Sequence, residues 1–392
     1  MTELTHRLSK TVRDLPPSGI RRFFDLASQM QDVISLGVGE PDFVTPWHVR
    51  EASIYALERG FTSYTANAGL IELRKEISRY LRKFELDYDP ETEILVTIGG
   101  SEAIDLALRT LLEPGEEVLI PEPTYVSYRP CAVLAGGTPV VVPTGMKDDF
   151  RLTKKELTAA VTANTKVLVM SYPNNPTGAV MGSDDLRDVA ELAMARDFFV
   201  VTDEIYAELS YGEIHRSIAA IPGMKERTIL VSGLSKAYAM TGWRVGYVAA
   251  PREIMQELIK IHQYTILCAP VMGQMAAIEA FRHGDSERDR MVESYNERRR
   301  LVVSGLKRIG LDCHEPKGAF YAFPSIASTG LTSEQFAEGL LKEGKVAVVP
   351  GHVFGESGEG FIRASYATSV EQIERALERM DRFVQKFQPQ QV

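Results

Sequence analysis

Residues 232–247 read SGLSKAYAMTGWRVGY and place Lys236 among small, hydroxylated and aromatic residues, with no acidic residue in the stretch to pair with it. A lysine on a solvated helix face usually has Glu or Asp three or four residues away. The preceding apolar run TILV, residues 228–231, is typical of a buried strand, so we expect Lys236 just beyond a strand end. In open α/β sheets this is where ligands bind.

The rest of the chain has the rhythm of an α/β protein. Short apolar runs alternate with amphipathic stretches, which indicates a mostly parallel central sheet with helices on both faces. After Pro251 the pattern changes to longer helical stretches with short strands at AFYAFP and VAVVP, which favours a smaller α+β domain. We predict a large domain over residues 46–283 and a small domain formed by residues 1–45 and 284–392. The runs that predict the sheet are EILVTI, EVLIP, PVVV, KVLVM, FFVVTD, TILV and GYVAA.

Composition argues against several classes of function. The net charge of −9 over 392 residues disfavours nucleic acid or a membrane surface as a partner, and no window approaches the roughly 18 apolar residues of a membrane span. The arginine run 298–300 is interpreted as a solvated helix face. Three cysteines without CxxC spacing indicate neither a disulfide framework nor a metal site. We therefore expect no metal and a cytoplasmic location, since the N-terminus also lacks an apolar signal region.

A glycine pair suggests an anion site. In VTIGGSEAIDLAL, Gly99 and Gly100 end a strand pattern and Ser101 begins a helix. Free backbone N–H groups at a helix start, with the helix dipole behind them, attract an anion such as phosphate. No GxGxxG pattern is present, so a dinucleotide is not expected, and a simple tight turn remains the alternative for this fragment.

Three more polar residues follow predicted strands. Asn175 lies in YPNNPTG after KVLVMS, and Asp203 ends FFVVTD with Tyr206 three residues later. Taken singly, each has an ordinary interpretation: a turn for Asn175, a helix N-cap for Asp203 and a core position for Tyr206. Together with Lys236 and the glycine turn, however, they would converge on one edge of one sheet.

Pyridoxal phosphate requires this combination of groups. Its aldehyde suits Lys236, its ring nitrogen suits the Asp203 carboxylate, its phenolic oxygen suits Asn175 and Tyr206, and its phosphate suits the turn at Gly100. A carboxylate beside the ring nitrogen keeps that nitrogen protonated. Further phosphate partners are expected from Ser232, Ser235 and Arg244, the last with a forked, charge-assisted contact.

At this point the sequence resembles the class I and II aminotransferases, which are fold-type I pyridoxal phosphate enzymes. The similarity covers almost the whole chain, through GVGEPDF, TSYTANAGLIELR, YPNNPTG, TDEIYAEL, SGLSKAYAMTGWRVGY and the segment around Arg363. The resemblance implies a homodimer with shared active sites and a cis bond between Asn175 and Pro176. It also implies these roles: Lys236 as the Schiff-base lysine, Asp203 as partner of the ring nitrogen, Asn175 and Tyr206 as donors to the phenolic oxygen, Tyr125 as the stacking ring, Gly100, Ser101, Ser235 and Arg244 as phosphate contacts, Tyr64 as a contact to the neighbouring subunit's phosphate, Gly39 as a substrate contact, and Arg363 as the arginine that binds the substrate's α-carboxylate.

The implied reaction is ping-pong transamination between an L-amino acid and a 2-oxo acid, with 2-oxoglutarate or pyruvate as the expected acceptor. A C–S lyase or a decarboxylase of the same fold is the alternative, because such enzymes share the cofactor residues. A regulator built on an inactive aminotransferase domain is disfavoured, because the residues before the first motif leave no room for a DNA-binding extension.

The substrate side-chain pocket is less clear from the sequence. The stretch IHQYTILCAP, residues 261–270, has no arginine for a second carboxylate, and Ser101 replaces a lysine that some bacterial relatives carry. Strict aspartate specificity is therefore not expected. Arg21 is a candidate for a distal carboxylate, and an exposed surface position is an equally good interpretation of it.

Overall fold

The computed structural model describes residues 4–17, 19–20 and 30–387 of the chain. We number the strands and helices of these residues in chain order. The strands are β1 (Ile34–Ser35), β2 (Ile94–Thr97), β3 (Glu117–Glu122), β4 (Thr138–Pro143), β5 (Thr165–Ser171), β6 (Phe199–Asp203), β7 (Thr228–Gly233), β8 (Gly246–Ala249), β9 (Tyr321–Ala322), β10 (Val346–Ala347), β11 (Val349–Pro350) and β12 (Ile362–Ser365). The α-helices are α1 (Lys10–Asp14), α2 (Trp47–Glu58), α3 (Ile71–Leu81), α4 (Gly99–Leu111), α5 (Tyr128–Leu134), α6 (Lys154–Ala160), α7 (Ser183–Arg196), α8 (Arg252–Thr265), α9 (Val271–His283), α10 (Asp285–Arg308), α11 (Ser333–Gly339) and α12 (Val370–Val384).

Seven strands form the central sheet, in the order β2-β8-β7-β6-β5-β3-β4. Every neighbouring pair is parallel except those of β8, which runs antiparallel to both β2 and β7. Each strand coincides with one of the seven apolar runs, so the predicted α/β fold with a mostly parallel sheet is confirmed. None of the helices among the described residues is long and apolar enough to cross a membrane.

The sheet is buried on both faces, which explains why its strands read as continuous apolar runs. In β5, Val167 and Val169 join one core cluster while Leu168 and Met170 join another. Successive side chains of a strand point to opposite faces, so both faces must be covered. Helix α4 covers the first face and α7 the second. Because helices cover both faces, the carboxyl ends of the parallel strands are the part of the sheet that is left for a binding site.

A smaller assembly is formed by later residues together with a segment from near the N-terminus. Strands β11, β12 and β9 make an antiparallel sheet, and β1 pairs in parallel with β10, with Ile34 opposite Val346. Helix α12 packs against α10 and β10. The β1–β10 pairing is the kind of contact that the predicted domain division requires, and the boundaries near residues 46 and 284 stay a prediction.

The interpretation of residues 298–300 as a solvated helix face is wrong for Arg298. Arg298 is only 8% exposed, and its Nη1 donates to both carboxylate oxygens of Asp42 at 2.8 Å. Its guanidinium also lies 5.2 Å from the ring centroid of Phe43. Asp42 and Phe43 are distant in the chain, so no local charge pattern reveals this partner.

Strand β8 approaches the start of α4 very closely. A Cβ atom on Gly246 would lie 2.5 Å from the carbonyl carbon of Gly99 and 2.7 Å from the nitrogen of Gly100. Gly99 itself has φ +70°, a conformation that residues with side chains rarely adopt. The absence of side chains at these positions lets the sheet edge and the first turn of α4 meet backbone to backbone.

We predict that Gly246→Ala lowers the free energy of unfolding by about 1–3 kcal/mol, because the added methyl group forces the backbone of α4 to move. Chemical denaturation measures this change. Gly145→Ala is the control, since a Cβ there would meet nothing within 4 Å. Equal destabilisation by the two substitutions would contradict the close approach.

Candidate active site

A cavity of about 880 Å³ lies at the carboxyl edge of the central sheet. Tyr64, one of the twelve predicted site residues, is absent from its lining in this single chain. The other eleven all line it, namely Gly39, Gly100, Ser101, Tyr125, Asn175, Asp203, Tyr206, Ser235, Lys236, Arg244 and Arg363.

Lys236 follows β7 and projects into the cavity. Its Nζ donates to the carbonyl oxygen of Gly39 at 2.6 Å and lies 5.9 Å from the ring centroids of Tyr206 and Phe320. Burial lowers the pKa of Lys236 to about 8; Glu40 opposes this shift and the charge of Arg363 adds to it. The side chain therefore holds an amine that is partly neutral near physiological pH, as a nucleophile or base requires.

Asp203 ends β6 at the floor of the cavity. Its Oδ2 accepts a hydrogen bond from the Tyr128 hydroxyl at 2.7 Å, and its Oδ1 accepts from the N–H of Ile205 at 3.1 Å. The second bond closes a turn over residues 203–205, and no helix begins there. The helix N-cap interpretation of Asp203 is therefore wrong. Burial raises the pKa of Asp203 to about 6, while the Tyr128 hydroxyl and the Ile205 N–H oppose the rise.

The two adjacent asparagines of YPNNPTG have different contacts. Asn174 makes the turn, because its Oδ1 accepts from the N–H and the hydroxyl of Thr177 at 3.2 and 2.9 Å. Asn175 lines the cavity, and its Oδ1 accepts from Arg363 at 2.9 Å. The bond between Asn175 and Pro176 is cis, as the family resemblance implied.

Arg363 is a buried cation, only 2% exposed. Its Nη1 donates to Asn175, its Nη2 donates to the carbonyl oxygen of Gly37 at 2.6 Å, and its Nε has no partner. The guanidinium lies 4.4 Å from the ring centroid of Tyr321 and 4.9 Å from that of Phe354. Among the described residues no carboxylate forms an ion pair with it, and burial lowers its pKa. Such a group is suited to bind a carboxylate from a ligand.

Another group of lining residues is suited to hold an anion. Gly100 and Ser101 lie in the first turn of α4, whose N–H groups are not used within the helix. Arg244 lies beside them: its Nη2 would be 2.6 Å from a Cβ at Gly99. Ser235 also lines this space.

One predicted phosphate contact is corrected by the structure. Ser232 is buried, does not line the cavity, and donates its hydroxyl to the carbonyl oxygen of Glu204 at 3.1 Å. Ser232 still belongs to β7, and its side chain points into the protein instead of beyond the strand end.

Two other predicted residues lie elsewhere. Tyr64 is 83% exposed, and its role at a neighbouring subunit stays a prediction. Arg21 lies outside the described residues.

Several cavity residues were not predicted from the sequence, and three of them carry polar side chains that interact with predicted site residues: Glu40, Tyr128 and Tyr321. Tyr128 could have been found, because it lies one helical turn after Tyr125 in PTYVSYRP. Glu40 follows the quoted Gly39. Tyr321 comes from β9, in a different sheet, and has no local signal.

Comparisons with known proteins agree on one family. The family described as "Aminotransferase class I and II" matches residues 31–380. A Bacillus subtilis protein named "Putative aminotransferase YugH" is 57% identical over 98% of this chain and 100% of its own length. An aspartate aminotransferase from Pyrococcus abyssi is 47% identical over 94% of this chain and 96% of its own. The crystal structure of an aromatic aminotransferase from Pyrococcus horikoshii superimposes with a TM-score of 0.89 at 46% identity, over 93% of this chain and 99% of that one.

The fold is thus that of the aspartate aminotransferases. The chain belongs to the class I and II aminotransferase family, whose members use pyridoxal phosphate. The cavity fits this cofactor, because a partly neutral lysine faces a buried carboxylate and a side-chain-free helix start lies at one end. The lyase and decarboxylase alternative is not favoured by any of these matches.

We predict that Lys236→Met stabilises the cofactor-free protein, because burial disfavours the charged amine. Since the pKa falls from 10.5 to about 8 on folding, the penalty is fully present below pH 8. It disappears as the pH rises to 10.5, where the amine is neutral in both states. The expected gain is about 3 kcal/mol at pH 7, from about 1.4 kcal/mol per pKa unit. Denaturant unfolding across this pH range measures it, and a gain that does not change with pH would contradict the buried amine.

Proposed function

We propose that the cavity residues carry out transamination with Lys236, Asp203 and Tyr206 as the catalytic residues. The observation that carries the proposal is that a buried amine, a buried carboxylate and a buried unpaired guanidinium line one cavity at the sheet edge. Remaining roles follow the resemblance: Asn175, Tyr125, Gly100, Ser101, Ser235 and Arg244 hold the cofactor, and Gly39, Asn175 and Arg363 contact the substrate.

Pyridoxal phosphate supplies, when bound, a ring that accepts the electrons released at the substrate's α carbon. The protein groups provide the proton chemistry. Lys236, with a pKa near 8, takes up and returns a proton within the usual pH range. Asp203 is buried and anionic above about pH 6, so its carboxylate would keep the ring nitrogen of the cofactor protonated.

Arg363 gives the site its selectivity for α-amino and 2-oxo acids. Both substrate types carry the same planar carboxylate, and a guanidinium binds it with two parallel hydrogen bonds. Asn175 and Gly37 each accept a hydrogen bond from one Nη atom, so the orientation of the guanidinium is set before substrate arrives. One arginine therefore serves both halves of a ping-pong reaction.

The rest of the lining favours neutral amino donors. Ile20, Val38 and Val126 are apolar, and Glu40 adds a negative charge. Within the described residues, the basic groups of the cavity are Lys236, Arg244 and Arg363, and all three have proposed roles elsewhere. The Pyrococcus abyssi relative is named for aspartate and the Pyrococcus horikoshii structure for aromatic amino acids, so the family accepts both types of donor. We propose 2-oxoglutarate or pyruvate as the acceptor.

We predict that Arg363→Lys raises KM for amino acid and 2-oxo acid alike, by at least tenfold, because lysine cannot make the two-pronged contact. Steady-state kinetics with alanine, methionine, phenylalanine and aspartate as donors measures this loss. In the wild type the neutral donors should react with efficiency comparable to aspartate. Lys236→Ala is the inactive control. A loss confined to one substrate type would contradict the assigned role of Arg363, and a wild type restricted to aspartate would contradict the proposed pocket.

A homodimer is the assembly that we propose. Helix α2 and the loops on either side of it expose a set of large apolar side chains that a monomer would leave in water. These residues are Val44, Trp47, Ile54, Tyr55, Leu57, Phe61 and Tyr64. We also propose a cytoplasmic location, supported by three free cysteines, Cys131, Cys268 and Cys313.

Shared active sites predict that two inactive variants restore each other. In a hybrid of Lys236→Ala with Tyr64→Ala, one of the two sites has both native residues, so activity should recover to roughly half that of the wild-type dimer. Mixing under mild denaturant, followed by an activity assay, measures this recovery. Lys236→Ala mixed with Asp203→Ala is the matched control, because both residues belong to the same chain's site. Proven hybrids without recovery would contradict a shared site.

A further inference from the structure

Tyr321 is a cavity residue that has no role in the proposed function. It lies in β9, is 1% exposed, and brings a hydroxyl and a ring face to two of the proposed functional residues. The hydroxyl oxygens of Tyr321 and Tyr206 are 2.8 Å apart. The Tyr321 ring lies under the Arg363 guanidinium at 4.4 Å.

The tyrosine pair contains two protons and one mutual hydrogen bond. One hydroxyl donates to the other, and the proton of the accepting hydroxyl is then free for a different acceptor. If Tyr321 donates, the free proton belongs to Tyr206. If Tyr206 donates, its proton is used within the pair. The direction of this bond therefore decides whether the Tyr206 hydroxyl can donate a hydrogen bond to another group in the cavity.

The charge of Arg363 favours Tyr321 as the donor. A cation over the face of a phenol withdraws electron density from the ring, which makes its O–H more acidic and a better donor. Burial raises the pKa of both phenols, and it raises that of Tyr206 further. The Arg363 guanidinium opposes the rise at both, but only at Tyr321 is it the largest influence after burial. Among the described aromatic–cation pairs, Tyr206 has no contact with the guanidinium. The cation over its ring is the partly neutral Lys236 amine, at the longer distance of 5.9 Å.

The Tyr321 hydroxyl is also confined in space. A Cβ on Gly39 would lie 2.9 Å from this oxygen, so the glycine backbone packs directly against it. The carbonyl oxygen of the same Gly39 accepts from Lys236. The hydroxyl therefore has a fixed place between Tyr206 and the segment that contacts the lysine.

We propose that Tyr321 is a positioning residue for transamination: its hydroxyl donates to Tyr206 and turns the Tyr206 proton toward the cofactor's phenolic oxygen, while its ring holds the plane of the Arg363 guanidinium. This rests on the proposed function in assigning Tyr206 to the cofactor and Arg363 to the substrate carboxylate. Tyr321 thus contacts both a residue proposed to bind the cofactor, Tyr206, and the residue proposed to bind the substrate carboxylate, Arg363.

Tyr321→Phe tests the hydroxyl, because it keeps the ring and removes the O–H. Without a donor, the Tyr206 hydroxyl binds the phenolic oxygen less strongly. The pH midpoint of the visible absorption change of the holoenzyme should then rise by roughly 0.3 to 1 pH unit. The titration contains no substrate. The expected shift therefore does not depend on whether Arg363 binds the substrate carboxylate or on which amino acids are the amino donors.

Two further variants show whether the effect passes through Tyr206. In a Tyr206→Phe background, Tyr321→Phe should produce no additional shift. Tyr366→Phe is the matched control: its buried hydroxyl donates to the carbonyl oxygen of Ala319 at 3.1 Å and does not line the cavity, so the midpoint should not move. An unchanged midpoint in Tyr321→Phe, or an equal shift with and without Tyr206, would overturn the hydroxyl role.

Tyr321→Leu tests the ring. Removal of the aromatic face should raise KM for amino acid and 2-oxo acid severalfold, whereas Tyr321→Phe should keep both within about twofold of the wild type. Thermal unfolding identifies any general loss of structure in the leucine variant, and the phenylalanine variant tests the proposal even in that case. Equal KM values for all three proteins would overturn the role of the ring.

Discussion

The buried charge of Arg363 is the interaction on which the active-site arrangement depends. A guanidinium taken from water must be compensated by hydrogen bonds, aromatic faces or a counter-ion. The protein supplies the Asn175 oxygen, the Gly37 carbonyl and the rings of Tyr321 and Phe354, all of them neutral. These groups hold the cation in place and leave its net charge uncancelled, so the cavity retains an attraction for a carboxylate from solution.

The same uncancelled charge affects the lysine. Lys236 lies in a cavity that also contains Arg363 and Arg244, and both cations disfavour a further positive charge. Glu40 and Asp203 oppose this effect, but burial dominates. The amine thus becomes partly neutral without any dedicated base beside it. Arg363, which is proposed to bind the substrate, therefore also affects the protonation of Lys236 through its charge.

The fold, and those site residues that directly follow a strand, could be predicted from local patterns. Each strand of the central sheet was visible as an apolar run, and Lys236, Asp203 and Asn175 were visible because they follow such runs directly. The contacts between segments had no such signal. Tyr321 reaches Tyr206 from another sheet, and Arg298 finds Asp42 far away in the chain. Ser232 was misjudged for a related reason: the last residues of a strand alternate between faces, and sequence alone does not say which of them points outward.

The reversed direction of β8 has a consequence for how the cavity keeps its dimensions. Gly246 pairs with Thr97 on one side and with Gly233 on the other, so the beginning of β8 is held between the ends of β2 and β7. Arg244 precedes β8, Gly99 follows β2 and Lys236 follows β7. The strand pairing therefore fixes where Gly99, Arg244 and Lys236 lie relative to one another along the strand direction, in which each residue spans about 3.3 Å. A shift of one residue in the pairing of β8 with β2 or with β7 would change these relative positions. An exchange of core side chains that keeps the pairing would not.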